Sequence, residues 1–187
     1  MTQLSLLAEM VEADKDEAAE VEAHARQMIQ SARQTTHVLD EIVWAVNPAN
    51  DTLNGLINYI CKNAQDYLHV AEFKYRFDVP AELPATPLSP EVRHNVFLAA
   101  KEAVTNVVRH SQGTSAWVRL RLAADSFTLE IADDGKGVPD SALDSTRNGL
   151  RNMSKRMEDV GGKFAISRAP EGGALISLTA PIRKRRS

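Results

Sequence analysis

Few residues in this sequence can build covalent or aromatic frameworks. Among its 187 residues Cys61 is the one cysteine, so no disulfide can form within the chain and a reducing compartment is expected. Cys61 lies between apolar positions of a helical pattern, which predicts a small buried hydrophobe rather than a nucleophile or a metal ligand. Aromatic residues make up only 5% of the chain, which leaves it few large apolar anchors.

Long apolar runs and a strong excess of one charge are also missing. No run is long enough to span a membrane and no signal peptide opens the chain, so we expect a cytoplasmic chain that makes no membrane contact. The 22 basic and 25 acidic residues give a net charge of −3, which argues against nucleic acid as the main partner. With 43% apolar and 25% charged residues, the chain is globular and could form one large domain or two small ones.

The first part of the chain carries a heptad pattern of apolar and small residues. This pattern predicts a short helix to about Val11 and a long second helix to about Val46, which Pro48 ends. The seam is narrow, so these helices cannot bury enough surface alone and need partners. A solvated coiled coil and a dimerisation bundle both fit the pattern.

The remaining residues alternate between helical and strand patterns. Asp51 is the predicted cap of one helix, and Ser89 with Pro90 is predicted to open another. The order predicts an α+β fold with helices layered on one face of a mixed sheet, and two domains, 1–47 and 48–187. Helices are expected over about 53–68, 90–110 and 149–160, and strands over about 73–79, 116–122, 127–131, 164–167 and 175–179.

Two motifs point to chemistry. Glu102 and Asn106 are one helical turn apart, and His110 is two turns from Glu102, so all three can face one cleft. On this helix alone, an ordinary solvated face is the favoured interpretation. The Asp-x-Gly-x-Gly turn at 133–137, followed by Gly149 opening another helix, changes the balance toward a nucleotide site.

The ordered motifs resemble the catalytic region of a sensor histidine kinase, of the short-lid subfamily that pairs with NarL-type response regulators, within the GHKL ATPase superfamily. The segment LDEIVWAVNPANDTL is similar to the link between the dimerisation and phosphotransfer hairpin and the ATP-binding domain. KEAVTNVVRH resembles the N box, DDGKG and RNGLRNMSKR the two glycine boxes, and EGGALISLTAP the closing glycine turn and strand.

The resemblance implies a GHKL (Bergerat) α/β sandwich preceded by a helical hairpin or coiled-coil segment, with ATP and Mg²⁺ as cofactors and ADP as a further ligand. It implies that Asn106 ligates Mg²⁺, that Glu102 is the catalytic base, and that Asp133 accepts from the adenine amino group. A mobile lid over the phosphates is expected between the glycine boxes. The other residues implied in nucleotide binding are Arg109, His110, Gly135, Gly137, Val138, Arg147, Gly149 and Leu150.

The sequence departs from the family pattern in three places. Arg147 stands where the second glycine box usually has its first glycine, and Ala174 replaces a threonine of the closing turn. The family's acceptor histidine lies in an H-D or H-E motif on the first hairpin helix, whereas His24 and His37 lie on the predicted second helix without it. We therefore expect a fragment that starts after the phosphorylation site of a homodimeric parent protein, either membrane-anchored or not, and that cannot phosphorylate itself.

The leading hypothesis is the catalytic core of a two-component kinase, which transfers the γ-phosphoryl group of ATP to a histidine for relay to a response regulator. One alternative is a stand-alone GHKL protein such as an anti-sigma-factor serine kinase, although the heptad helix and the WAVNP link argue against it. Another is a non-catalytic, nucleotide-gated interaction module, which is favoured if Arg147 blocks the phosphates.

Overall fold

The computed structural model describes residues 3–13, 18–84, 86–137 and 148–182. The chain divides into two compact units, 1–47 and 48–187, and the division falls at the Asn47-Pro48 step. Within the described ranges, no helix combines the length and apolar character that a membrane crossing requires.

The first unit consists of two helices, α1 (Gln3–Ala13) and α2 (Ala18–Val46), which contact each other. Leu7 of α1 is buried. The second helix ends at Val46 as predicted, and it leaves large apolar side chains more than half exposed. These exposed side chains of α2 are Ile29, Leu39, Ile42 and Val43.

The second unit opens with a single 3₁₀ turn, Pro48–Asn50, and continues with α3 (Leu53–Val70), whose cap differs from the prediction. Thr52 has extended backbone angles, φ −135° and ψ 155°, and its Oγ1 accepts a hydrogen bond from the Gly55 N–H at 3.0 Å. The prediction that Asp51 caps this helix is therefore wrong. The Asp51 carboxylate instead lies beside the Arg93 guanidinium, with Oδ1 and Nε 3.2 Å apart.

The longest helix of this unit, α4 (Pro90–His110), begins where the sequence predicts. Ser89 has an extended backbone and its side chain accepts from the Val92 N–H at 3.2 Å, and Pro90 occupies the first helical position. The other elements are β1 (Lys74–Asp78), β2 (Ser115–Leu122), β3 (Ser126–Asp133), α5 (Asn148–Asp159), β4 (Lys163–Arg168) and β5 (Ala174–Pro181).

The five strands form one mixed sheet in the order β1-β2-β3-β5-β4. β1 pairs with β2 in parallel, and the other three pairings are antiparallel. The central strands alternate between buried and partly exposed residues, so one face of the sheet is apolar. The helices α3, α4 and α5 pack on the sheet and confirm the predicted α+β architecture.

Cys61 lies half-buried on α3. Burial raises the pKa of its thiol to about 11, so the thiol stays protonated at neutral pH. Because the thiolate is the reactive form, this raised pKa lowers the reactivity of Cys61.

The ion pair between Asp51 and Arg93 joins the segment before α3 to the first turn of α4. Arg93 is only 2% exposed and Asp51 is partly buried, so this pair is poorly screened by water. Leu88 N–H donates to the Asp51 carbonyl at 3.0 Å, and Leu53 N–H donates to the Thr86 carbonyl at 2.9 Å. The segment that leads into α3 is thus hydrogen-bonded to the segment that leads into α4.

We expect Asp51→Asn to lower the free energy of unfolding by about 2 kcal/mol, because it removes the negative charge that faces the buried Arg93. Urea denaturation measures the change. Asp66→Asn, on an exposed position of α3, is the matched control and should shift stability by less than about 0.5 kcal/mol. Identical midpoints for Asp51→Asn and the unaltered chain would contradict a stabilising ion pair.

Candidate nucleotide site

The polar face predicted for α4 is present. Glu102 and Asn106 lie one turn apart and are half-buried. In the described part of the chain, neither side chain makes a hydrogen bond or an ion pair. Polar groups that are partly removed from water usually find a protein partner, so two adjacent ones without a partner indicate a face that is open to a ligand.

Gly149, in the first turn of α5, lies directly against Glu102. A Cβ atom added to Gly149 would overlap Oε1 of Glu102. Only glycine therefore allows the beginning of α5 to approach this carboxylate without displacing it. Since the first turn of a helix has free N–H groups and a partial positive charge, the contact places an anion-binding end beside Glu102.

Asp133, the last residue of β3, is only 4% exposed. Its Oδ1 accepts hydrogen bonds from the N–H groups of Gly135 at 2.8 Å and Ala174 at 3.3 Å. Its backbone carbonyl accepts from the Gly173 N–H at 3.1 Å. Among the described residues both side-chain bonds go to Oδ1, so Oδ2 is the oxygen left to accept from a ligand.

The environment of Asp133 raises the pKa of its carboxyl group above the ordinary value. Desolvation by burial is the main cause, and the negative charge of Asp134 adds to it. The hydrogen bonds from Gly135 and Ala174 act in the opposite direction but do not outweigh burial. A raised pKa in a buried carboxyl group at the mouth of a glycine turn is typical of a functional site.

The glycine turn that follows Asp133 packs against the end of α4. A Cβ atom on Gly135 would overlap the carbonyl oxygen of Ser111, and Lys136 N–H donates to that same carbonyl at 2.9 Å. The sequence predicted that Gly135 lets backbone approach a ligand. The structure gives it a second reason, which is close contact with Ser111. Gly137 has a φ of 75°, in the left-handed region.

The remaining predicted site residues are less constrained. Arg109 and His110 are exposed in the last turn of α4, and Leu150 is half-buried in α5. Ala174 contributes its backbone N–H to Asp133, so the loss of the family's threonine hydroxyl leaves this bond in place. Val138, Arg147 and most of the predicted lid lie outside the described residues.

Helices α4 and α5 enclose a cleft of about 250 Å³ that reaches Glu102. The sequence predicted a cleft shared by Glu102, Asn106 and His110, whereas the lining of this one includes Glu102 but neither Asn106 nor His110. The contribution of α5 was not predicted, because no sequence pattern reveals which faces of two separate helices meet. The cleft leaves Glu102 accessible beside two cationic side chains. The lining residues are Leu98, Lys101, Glu102, Thr105, Asn152, Met153 and Arg156.

The sequence analysis missed Ser111 and Gly173 as parts of the site. Ser111 is buried, and its Oγ accepts from the Gly113 N–H at 3.0 Å. A Cβ atom on Gly173 would overlap Oδ1 of Asp133, so this glycine lets the closing turn lie on the carboxylate. The pair of adjacent glycines in that turn is the sequence feature that could have predicted this contact.

Solved structures of other proteins share this α/β sandwich fold. The ATP binding domain of PrrB from Mycobacterium tuberculosis superposes with a TM-score of 0.55 at 22% identity, covering 66% of this chain and 90% of that one. The Acinetobacter baumannii histidine kinase AdeS gives a TM-score of 0.57 at 14% identity, covering 98% and 96% of the two chains. Both comparisons confirm the predicted fold.

Residues 91–184 match the family described as histidine kinase-, DNA gyrase B-, and HSP90-like ATPase. The match covers half of the chain, and the chain belongs to this family. It confirms the resemblance to the ATP-binding catalytic region of a histidine kinase.

Curated sensor proteins are similar to this chain. The sensor histidine kinase YvfT of Bacillus subtilis is 26% identical over 185 residues, which is 99% of this chain and 46% of the relative. The sensor protein NarQ homolog of Haemophilus influenzae is 30% identical over 107 residues, 57% of this chain and 19% of the relative. The chain spans less than half the length of these relatives.

The raised pKa of Asp133 gives a pH prediction for ADP binding. If Asp133 accepts from the adenine amino group, as the sequence predicts, its ionised carboxylate is the better acceptor, so ADP affinity is highest above the raised pKa and falls as the pH drops through it. Calorimetric titrations at a series of pH values from neutral downward measure this change in affinity. The variant Asp133→Asn has no titrating group at this position, so it controls for ionisation of the nucleotide itself. The ratio between the ADP affinities of the unaltered chain and of Asp133→Asn should therefore become smaller as the pH falls. A constant ratio would contradict the prediction.

Proposed function

We propose that this chain is the part of a two-component sensor kinase that transfers the γ-phosphoryl group of ATP to a histidine. The observation that carries the proposal is that Glu102 and Asn106 have no side-chain partner among the described residues, with Glu102 lying directly against Gly149 in the first turn of α5. ATP is the proposed nucleotide because the chain belongs to a family of ATPases. The roles of individual residues below are part of the proposal.

Adenine is recognised by Asp133. Its Oδ1 is already engaged by two backbone N–H groups, and Oδ2 accepts the hydrogen bond from the adenine amino group. Guanine has a carbonyl oxygen at that position of the ring, which would meet a carboxylate with no proton between them. The site therefore favours adenine over guanine nucleotides. Gly137 completes the turn beside the ring.

Magnesium binds together with the nucleotide. The carboxamide oxygen of Asn106 is a hard donor of the kind that Mg²⁺ prefers, and it has no partner among the described residues. Those residues contain no cluster of three or more His, Cys, Asp or Glu side chains that could hold a metal. A single protein oxygen supplemented by phosphate oxygens and water is a usual way to hold this ion, which then neutralises phosphate charge.

Glu102 acts as the general base. It accepts or orients the proton of the attacking imidazole while the first turn of α5, with Gly149 and Leu150, binds the phosphates through its N–H groups. The cleft between α4 and α5 gives an acceptor side chain access to Glu102. Catalysis is mainly positioning and charge neutralisation, and Arg109, His110, Arg147 and Val138 are proposed to lie near the phosphates.

The parent kinase is proposed to be a homodimer that passes its phosphoryl group to a response regulator with NarL-type output. Exposed apolar side chains along α2, such as Ile29 and Ile42, support a helical dimer interface. Similarity to the NarQ homolog supports the class of regulator. We propose that residues 1–47 belong to the dimerisation and phosphotransfer hairpin of that parent.

Asp133→Asn is expected to weaken ADP binding by about 30-fold or more. The amide oxygen would stay with the N–H groups of Gly135 and Ala174, so the amide nitrogen would face the adenine amino group as a second donor. Calorimetry with ADP, ATP and GTP tests this, with Asp78→Asn at an exposed position of β1 as the matched control. Unchanged ADP affinity in Asp133→Asn would remove Asp133 from the adenine site.

Glu102→Gln is expected to slow phosphoryl transfer by about 10²–10⁴-fold while ADP affinity stays within about threefold. The assay mixes this chain with labelled ATP, Mg²⁺ and a sensor-kinase helical hairpin that carries an H-D or H-E histidine. Glu91→Gln, at an exposed position in the first turn of α4, is the control.

Label is expected on the hairpin and not on this chain. Label at His24 or His37 would show that the chain carries its own acceptor. Transfer to neither polypeptide, with ADP still bound, would favour a nucleotide-gated interaction module over a kinase.

A further inference from the structure

The second aspartate of the glycine turn, Asp134, makes more contacts than a solvated turn residue needs. Its Oδ1 accepts from the N–H groups of Thr114 at 2.8 Å and Ser115 at 2.9 Å. Its Oδ2 accepts from the Thr114 hydroxyl at 3.1 Å. One carboxylate thus binds three donors from a segment about 20 residues earlier in the chain.

The segment that Asp134 binds is the connection from α4 to β2. Ser111 follows the last residue of α4, and its carbonyl accepts from the Lys136 N–H at 2.9 Å. Gly113 lies so close to the turn that an added Cβ atom would overlap Oδ1 of Asp134 and lie 2.9 Å from the Gly135 nitrogen. The connection and the glycine turn are therefore packed backbone to backbone, with the Asp134 side chain between them.

This contact joins the two halves of the nucleotide site. On one side of this junction is Asp133, the proposed adenine acceptor, and on the other are Thr114 and Ser115, which follow the end of α4, the helix that carries Glu102 and Asn106. The distance between the two halves of the site therefore depends on how the connection from α4 to β2 is held against the glycine turn. Backbone hydrogen bonds from Lys136 N–H to the Ser111 carbonyl and from Asp134 N–H to the Ser115 carbonyl join the two segments, and the Asp134 carboxylate adds three more.

We propose that Asp134 is a positioning residue that sets the distance between the adenine-binding end and the metal-binding end of the site. It acts through Thr114 and Ser115 and does not touch the nucleotide. The inference rests on the proposed function, because it assigns Asp134 a task in binding ATP that goes beyond holding a turn together.

The ionisation of Asp134 suits this role. Desolvation acts to raise the pKa of its carboxyl group, but hydrogen bonds from the backbone and side chains of Ser115 and Thr114 outweigh it and leave the pKa lowered. Asp134 is therefore ionised at neutral pH and accepts the hydrogen bonds from Thr114 and Ser115 as a charged group, which makes them stronger than bonds between neutral groups.

The geometry suggests a graded set of variants. Asp134→Ala removes the acceptor of all three bonds. Asp134→Asn keeps an oxygen at the position of Oδ1, which receives both N–H groups, and its amide nitrogen can donate to the Thr114 hydroxyl oxygen. Thr114→Val removes only the hydroxyl bond. Asp78→Ala, at an exposed position of β1, is the control for loss of one negative charge.

The experiment measures ADP affinity by calorimetry, at a temperature where circular dichroism shows each variant folded. Asp134→Ala is expected to weaken ADP by about tenfold, and Asp134→Asn, Thr114→Val and Asp78→Ala by less than about threefold. A role limited to stability would lower the melting temperature of Asp134→Ala but leave the ADP affinity of the folded protein unchanged, and that result would overturn the inference.

Two further outcomes separate this inference from the proposed function. If the unaltered chain binds ADP, Asp133→Asn weakens it and Asp134→Ala does not, the positioning role is wrong and the nucleotide site stands. If the unaltered chain does not bind ADP, the proposed function itself fails, and the inference fails with it. Equal losses in Asp134→Ala and Asp134→Asn would also overturn the inference, because the amide should preserve the geometry.

Discussion

The burial of a carboxylate at the end of β3 is the constraint on which the rest of the site depends. Asp133 is almost completely removed from water, which would be costly for an ionised group without compensation. The compensation comes from the N–H groups of Gly135 and Ala174, which belong to different parts of the chain. In the folded protein both the turn and the start of β5 must donate to the buried carboxylate to offset its desolvation, so the site is complete only where β5 is paired with β3.

Helix α4 has a charged partner near its beginning, and in its second half it carries polar side chains that have no partner in the part of the chain that the structure describes. Arg93 lies beside Asp51 at the entrance to the unit, whereas Glu102 and Asn106 face the proposed ligand. Because both ends of the helix are attached to other segments, α4 is held as a rigid support. A site built on such a helix keeps its polar groups at fixed positions without needing them to bond each other.

The elements of the second unit could be predicted because local patterns determine them. Ser89 and Pro90 start α4, and alternating apolar residues produce the strands. The cap of α3 could not be chosen from sequence, since Asp51 and Thr52 are both good caps and only the buried Arg93 decides between them. An arginine on the apolar face of a helical pattern was the signal for that ion pair.

The candidate site shows the same limit. Its motifs gave Glu102, Asn106 and Asp133, and these remain the proposed functional residues. The contact between Gly149 and Glu102, and the one between Asp134 and Thr114 in the connection from α4 to β2, join segments that are far apart in sequence. No periodicity encodes such contacts, because they depend on strand order and on how helices sit on the sheet.

The strand order also determines how this sheet behaves toward other sheets. β1 and β4 are its two edges, and an open edge offers unpaired backbone groups to any neighbouring chain. β1 is only five residues long and exposes Lys74, Arg76 and Asp78, and β4 begins at the exposed Lys163 and ends at the exposed Arg168. Charged side chains at both edges disfavour the addition of further strands. The domain is therefore protected against edge-to-edge aggregation even when copies are held close together.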